Sequence, residues 1–316
     1  MPTPYAYLRR QVVPLAEAKI GIMTHAFNYG TGVFEGIRGN WNADDETIYL
    51  FRVREHFERL SASCKILHID IGHTVDEMID IVTRLVGMSG YREDVYIRPL
   101  AYKASEVVGV RLHDLEDDLL VFVTPFGAYL DTEKGIRCQT SSWRRVDDVS
   151  IPARAKVTGI YVNSALAKTE AQENGFDEAI MLNQDGHVSE GSGENILILR
   201  HGRLITPARH DNILEGITLA TVEELAREEL GLQVIERTID RSELYIADEV
   251  LMTGTAAHVS AVIEIDRRPI GDGQPGKVTR QLQKLYFDAI TGRLPKYERW
   301  CTPVSMRETS PLAPLR

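Results

Sequence analysis

His187-Val188-Ser189-Glu190-Gly191-Ser192-Gly193-Glu194-Asn195-Ile196-Leu197-Ile198-Leu199 decides how this chain is read. Two acids, small polar side chains and two glycines form a tight turn, and an apolar run that reads as a buried strand follows at once. Such a polar cluster normally belongs on a surface loop. Tied to a core strand, at least one of its carboxylates points into a protected place and needs a cationic or proton-bearing partner. The search for that partner organises the reading of the rest.

Composition narrows the field. The 316 residues are enough for two domains, and 43% hydrophobic with 26% charged residues is the balance of a globular protein. The formal charge of −10 argues against a nucleic-acid surface, which needs clustered Lys and Arg. A protein this acidic must build a local basic pocket to handle an anion. Cys64, Cys138 and Cys301 are scattered, with no CxxC pair, so neither a disulfide framework nor a zinc site is expected. No basic-then-apolar signal layout opens the chain, and no apolar run approaches the roughly 20 residues that span a bilayer. The expectation is a cytoplasmic protein without nucleic-acid or membrane partners.

Periodicity supplies the elements. Arg54 to Leu67 reads as a helix with Phe57, Leu60, Cys64 and Leu67 on one face. Val75 to Met88 is a second helix, with Gly90 just past its end. Thr47 to Phe51, Val95 to Tyr102 and Leu119 to Thr124 read as strands. Later helices are expected at Ile160 to Asn174, Ile217 to Leu230 and Val278 to Ile290, among strands that include Glu178 to Leu182 and Glu194 to Leu199. The expected fold is mixed α/β: a small domain over 1–124, a linker over 125–134, a large domain over 135–290 and a weakly patterned tail over 291–316.

Several constellations carry chemistry. Lys156 sits among small residues just before the chain turns into a helix, where lost hydration favours a neutral, nucleophilic amine. Gly216-Ile217-Thr218 opens a helix with backbone amides and a hydroxyl at the positive end of its dipole, a place for phosphate. Gly254-Thr255-Ala256-Ala257 exposes amides after a strand. Tyr96 and Arg98 share one face of a strand and make a carboxylate receptor. Gly271-Asp272-Gly273-Gln274-Pro275-Gly276 matches GxGxxG, but polar, turn-like residues precede it, so it reads as a surface turn. An amine, a carboxylate, a phosphate cup and an anion pocket together fit pyridoxal phosphate chemistry.

The segments Tyr29–Arg38, Arg52–Leu60, Tyr96–Pro99, Lys156–Tyr161, Ser189–Asn195, Gly216–Thr218 and Gly254–Ala257 resemble the branched-chain amino acid aminotransferases, class IV, fold-type IV enzymes, from about residue 5 to residue 290. The resemblance implies a two-domain fold with its active site at the domain interface, pyridoxal 5'-phosphate as cofactor, and a homodimer or higher homo-oligomer. Lys156 is then the catalytic lysine, joined to the cofactor and shuttling protons. Glu190 contacts the pyridine nitrogen. Arg59, Gly216, Ile217, Thr218 and Thr255 hold the phosphate, and Tyr161 the phenolic oxygen. Tyr29, Phe34, Gly36, Arg38, Phe126 and Tyr129 line the substrate pocket. Tyr96, Arg98, Thr255, Ala256 and Ala257 take substrate carboxylates. Val110, in the loop Val107–Val110, reaches the partner subunit's site. The implied reaction exchanges amino groups between leucine, isoleucine or valine and 2-oxoglutarate.

Three departures from the family pattern are visible: Gly39-Asn40-Trp41 lacks the usual aromatic two residues past Arg38, Phe126 stands where Trp is common, and His258 stands where an acid is common. The first two bear on the preferred side chain. Alternatives of the same fold are a D-amino acid or (R)-amine transaminase and an aminodeoxychorismate lyase. A non-catalytic binding protein is opposed by intact Lys156 and Glu190.

Overall fold

A computed structural model describes residues 4–127 and 133–306. They divide into two units. The first holds the chain up to Gly127, the segment Ala155–Gly159 and everything from Asp288 on; the second holds the rest, including Ile160–Phe287.

In the first unit, β1 (Tyr5–Leu8) and β2 (Gln11–Pro14) form a hairpin, followed by the short helix α1 (His25–Tyr29). β3 (Gly32–Phe34), β4 (Ile37–Asn42), β5 (Thr47–Phe51), β6 (Val95–Lys103) and β7 (Asp117–Pro125) build one antiparallel sheet with the hairpin. Two helices cross over between β5 and β6. α2 (Val53–Ile66) buries Phe57, Leu60 and Cys64, and α3 (Val75–Ser89) buries Met78, Val82, Leu85 and Val86, as the 3- and 4-residue steps require. Thr74 and Glu77 close a capping box at the start of α3, and Gly90 ends it at φ 68°.

The second unit carries a nine-stranded sheet. β8 (Ile136–Thr140) leads to α4 (Tyr161–Glu173), then β9 (Glu178–Leu182), β10 (Val188–Gly191), β11 (Asn195–Arg200) and β12 (Arg203–Thr206). α5 (Ile217–Leu230) precedes β13 (Gln233–Glu236) and the single turn α6 (Arg241–Leu244). β14 (Glu249–Gly254), β15 (His258–Ile265), the two-residue β16 (Arg268–Pro269) and α7 (Lys277–Ile290) complete it. The strand order is β10-β9-β8-β15-β14-β11-β12-β13. Ile196, Ile198, Val250, Met252 and Val262 form its core, while α4 approaches through Ala167 and Ala171. The GxGxxG stretch is the turn before α7, and the amides of Val278 and Thr279 there donate to Glu249.

Two features differ from the sequence expectation. Ala155–Gly159 lies with the first unit because Val157 bridges Val33 and the Phe34 amide donates to the Lys156 carbonyl, 3.0 Å. Elements also continue beyond Thr291, within the tail. A 3₁₀ turn over Pro295–Trp300 feeds β17 (Cys301–Ser305), which pairs antiparallel with β5, from Cys301 opposite Phe51 to Ser305 opposite Thr47. Pro303 and the weak alternation hide this edge strand from a pattern search.

Candidate active site

The first unit gathers one set of site residues around the Phe34 ring. The Phe34 amide pins the Lys156 backbone, and the Lys156 Nζ stands 5.2 Å from the ring centroid. The Arg98 guanidinium lies 4.2 Å from the same centroid and donates to the Tyr96 hydroxyl, 2.7 Å from Nη2. Tyr96 and Arg98 share a face of β6, as their spacing requires. Tyr96 in turn packs on Phe126, ring centroids 5.1 Å apart. A Cβ on Gly36 would lie 2.3 Å from the Tyr96 hydroxyl, so a glycine there is what lets the tyrosine approach.

Arg59 sits mid-way along α2. Its Nε and Nη2 grip the two oxygens of Glu35, each 2.7 Å, and His56 Nδ1 donates to Glu35 Oε2, also 2.7 Å. Glu35 is fully buried. Burial alone would raise its carboxyl, but the Arg59 charge and the hydrogen bonds from Arg59 and His56 outweigh that and hold it down to about 2. Burial keeps the His56 imidazole below its ordinary value despite Glu35, and the charges of Arg59 and Lys156 act in the same direction.

Arg38 is committed elsewhere than to an open pocket. Its Nη2 donates to the Phe126 carbonyl, 2.9 Å, and to Asp94, 3.2 Å, and the side chain is buried. It therefore acts on the pocket by fixing Phe126, whose ring it overlies at 5.1 Å. Tyr29 ends α1; its hydroxyl accepts from the Gly109 amide, 3.1 Å, while His25 Nε2 donates to the Gly109 carbonyl, 2.8 Å. Val110 follows on that loop, 91% exposed. Tyr129 lies outside the described residues.

The second unit carries the carboxylate set. Glu190 is on β10 and buried. Its Oε2 accepts from the Leu214 amide, 2.9 Å, and from Asn195 Nδ2, 3.2 Å. Arg145 Nε stands 2.8 Å from its Oε1 as an ion pair whose angle falls short of a hydrogen bond, and Arg145 Nη1 is buried with no hydrogen-bond partner. Asn195 Nδ2 also donates to the Leu214 carbonyl, 2.8 Å, which ties the Glu190 carboxylate to the turn before α5. Gly216 is the N-cap of α5, with extended backbone and no side-chain cap, and Ile217 and Thr218 form the first turn. Thr255, Ala256 and Ala257 form the turn between β14 and β15. His258 follows at φ 56°, its ring against Tyr286 and Phe287. Tyr161 is the first residue of α4.

Glu194 braces the opening turn, its backbone carbonyl accepting from the Gly191 amide and its side chain from the Gly193 amide. Burial, reinforced by the Glu178 charge, pushes its carboxyl up to about 8.

The donor set fits pyridoxal phosphate. An amine, a buried carboxylate held by two hydrogen bonds and an ion pair, a helix N-terminus with no side-chain cap and an arginine gripped from behind are the groups that cofactor requires. Sequence reasoning missed Glu35, His56, Arg145 and Asn195 as members of the site. For Glu35 a signal existed: a lone acid between Phe34 and Gly36 in an otherwise apolar stretch. Arg145 carried none.

Comparison with known proteins agrees with this chemistry. The family described as amino-transferase class IV matches residues 32–265. A probable branched-chain-amino-acid aminotransferase of Aquifex aeolicus (strain VF5) is 50% identical over 300 residues, covering 95% of this chain and 96% of that one. Among solved structures, the branched-chain aminotransferase of Thermoproteus uzoniensis with norvaline is 44% identical, with a TM-score of 0.91 over 96% of this chain and 99% of that one. The branched-chain amino acid aminotransferase of Thermobaculum terrenum in its PLP-form (holo-form) is 38% identical, with a TM-score of 0.92 over 97% of this chain and 100% of that one.

Proposed function

We propose, because this chain belongs to the amino-transferase class IV family, that it is a pyridoxal phosphate-dependent branched-chain amino acid aminotransferase. It exchanges the amino group of leucine, isoleucine or valine with 2-oxoglutarate, giving branched 2-oxo acids and L-glutamate. The observation that carries the reading is the Phe34 ring, which has the Lys156 amine and the Arg98 guanidinium both against it. An amino acid needs a nucleophilic amine beside a carboxylate receptor, and this one aromatic side chain supports both.

When bound, the cofactor supplies an electron sink that stabilises negative charge at the substrate's amino-bearing carbon. The chain's own residues supply the rest. Lys156 Nζ would take up the proton that leaves the substrate's amino-bearing carbon and return it later in the transfer, general acid–base help worth roughly 10²- to 10⁴-fold. Glu190 would hold the ring nitrogen; Leu214, Asn195 and Arg145 hold its carboxylate in place. Arg59, Ile217, Thr218 and Thr255 would bind the phosphate, with Gly216 admitting the close backbone, and Tyr161 the phenolic oxygen. Phe34 and Phe126 give an apolar wall for a branched side chain, with Gly36 and Arg38 setting the positions of Tyr96 and Phe126. Arg98, with Tyr96 and the turn Thr255–Ala257, engages carboxylates, and Arg98 lets the same pocket accept the acidic substrate.

A second copy of this chain completes the assembly. Ile22, Phe27, Val108 and Val110 are exposed apolar residues of the first unit, 82%, 68%, 76% and 91% open. Val108 and Val110 flank Gly109, which ties their loop to α1, and apolar side chains so exposed suit an association surface. The reaction belongs to the cytoplasm, where Cys64, Cys138 and Cys301, which form no disulfide, stay reduced. No helix among the described residues is long and apolar enough to cross a membrane.

The test is direct. Borohydride treatment of the purified yellow protein should fix the cofactor on Lys156, as read by peptide mass, and L-leucine with 2-oxoglutarate should yield glutamate. A colourless protein that gains nothing from added cofactor would end the enzyme reading. Turnover of D-amino acids or (R)-amines in preference to L-leucine would replace the substrate.

A further inference from the structure

We propose that Glu35 and His56 are positioning residues for phosphate recognition: together they lock the Arg59 guanidinium and so set the preference for a phosphorylated over a dephosphorylated cofactor. This rests on the reading that Arg59 binds phosphate.

The geometry is that of a clamp. Glu35 lies between β3 and β4, and its amide donates to the Pro99 carbonyl of β6, 2.9 Å, so its backbone is fixed by the sheet. Its side chain has no exposure at all. Both carboxylate oxygens engage the Nε–Nη2 edge of Arg59. A bidentate fork fixes the plane and the roll of a guanidinium, which a single contact would not. His56 is three residues before Arg59 on the same face of α2 and donates to the same carboxylate. The acceptor-only carboxylate assigns the proton to His56 Nδ1. With burial favouring its neutral form, His56 adds a donor without adding a competing charge.

Stability alone does not account for the arrangement. A buried ion pair is no more stabilising than well-packed apolar residues of the same volume, whereas it fixes direction. A long arginine side chain on a helix otherwise samples many rotamers. Glu35 directly follows Phe34, whose amide holds the Lys156 carbonyl. One short stretch of backbone, Phe34-Glu35, therefore references both the phosphate-holding arginine and the lysine.

The experiment compares dissociation constants of pyridoxal phosphate and pyridoxal, read by absorbance on the full-length chain. The quantity of interest is their ratio. Glu35→Gln should weaken pyridoxal phosphate by about tenfold or more and leave pyridoxal within about twofold. Arg59→Ala should lose the same selectivity, and the double variant should lose no more than Arg59→Ala. Should Glu35→Gln not fold, Glu35→Asp, which keeps the charge but shortens the reach, is read in the same way. Equal weakening of both cofactors, or no change in either, overturns the proposal and leaves Glu35 a residue of the fold. An unchanged ratio in Arg59→Ala overturns the phosphate assignment itself, and is thereby distinguished from a failure of the clamp alone.

Discussion

Gly216 and Asn195 are so close that a Cβ on the glycine would lie 1.9 Å from Asn195 Oδ1. Asn195 is the residue that joins the Glu190 carboxylate to the turn preceding α5. The glycine at the helix cap and the Glu190 carboxylate are thus mechanically linked through one amide side chain.

Gly216→Ala should therefore push Asn195 aside and disturb Glu190 and the helix cap together. We expect cofactor affinity to fall about tenfold or more, with a stability loss of about 1–3 kcal/mol from overpacking. Equilibrium cofactor binding and thermal unfolding measure the two effects. Gly193→Ala is the control, since nothing lies within 4 Å of the Cβ it would add. Equal behaviour of the two variants would sever the link.

Arg98→Ala should separate the two substrate classes. Arg98 lies on Phe34 and is hydrogen-bonded to Tyr96 rather than to an acidic side chain, so it is poised to meet a carboxylate. Loss of a charge-assisted hydrogen bond predicts a fall in kcat/KM for 2-oxoglutarate and glutamate of roughly 10- to 100-fold beyond that for leucine. Steady-state kinetics on both substrates settle it, and an identical loss on leucine would remove Arg98 as the switch.

Glu194→Gln should change how stability depends on pH. The buried Glu194 keeps its proton up to about pH 8, whereas an unfolded chain releases it near the ordinary value of 4.5. The folded state binds more protons across that window, so this group's contribution is lost as pH rises from about 4.5 through about 8. Glutamine has no proton to lose. Relative to the parent chain, the variant should gain roughly 1–4 kcal/mol between about pH 5 and pH 8.5, read from denaturant midpoints. Parallel stability curves for the two proteins would contradict the assignment.

Replacing Val108 and Val110 together by Asp should weaken self-association without unfolding the chain. Both side chains are open in the single subunit, on a loop tied to α1 through Gly109. Sedimentation should show the parent as a dimer and the variant shifted toward monomer; a dimer unchanged by two buried charges would place the interface elsewhere.

Local chemistry was legible in the sequence; distant pairing was not. Helices α2 and α3 followed from their apolar steps and from Gly90, because those signals lie within the element itself. Lys156, Glu190 and Gly216 stand out in the sequence because each sits at a break in a regular pattern. β17 escaped because its signal is its partner β5, far earlier in the chain. Arg38 was read as a pocket residue, and only coordinates reveal that carbonyls of Phe126 and Gly127 claim its donors. Arg145 was invisible for the converse reason: one basic residue among several, made important by the buried acid it faces.

β17 also sets an order of events during synthesis. The strand at the β5 edge of the first sheet follows the whole second unit in the chain and so is made after it. Until then the nascent chain carries β5 with an open side, rich in Ile48, Leu50 and Phe51, a template for pairing with other chains. A polypeptide that stops near residue 300 would leave that template bare permanently. The cell's exposure to misassembly of this protein thus depends on the few residues of Cys301–Ser305, made long after the segment they protect.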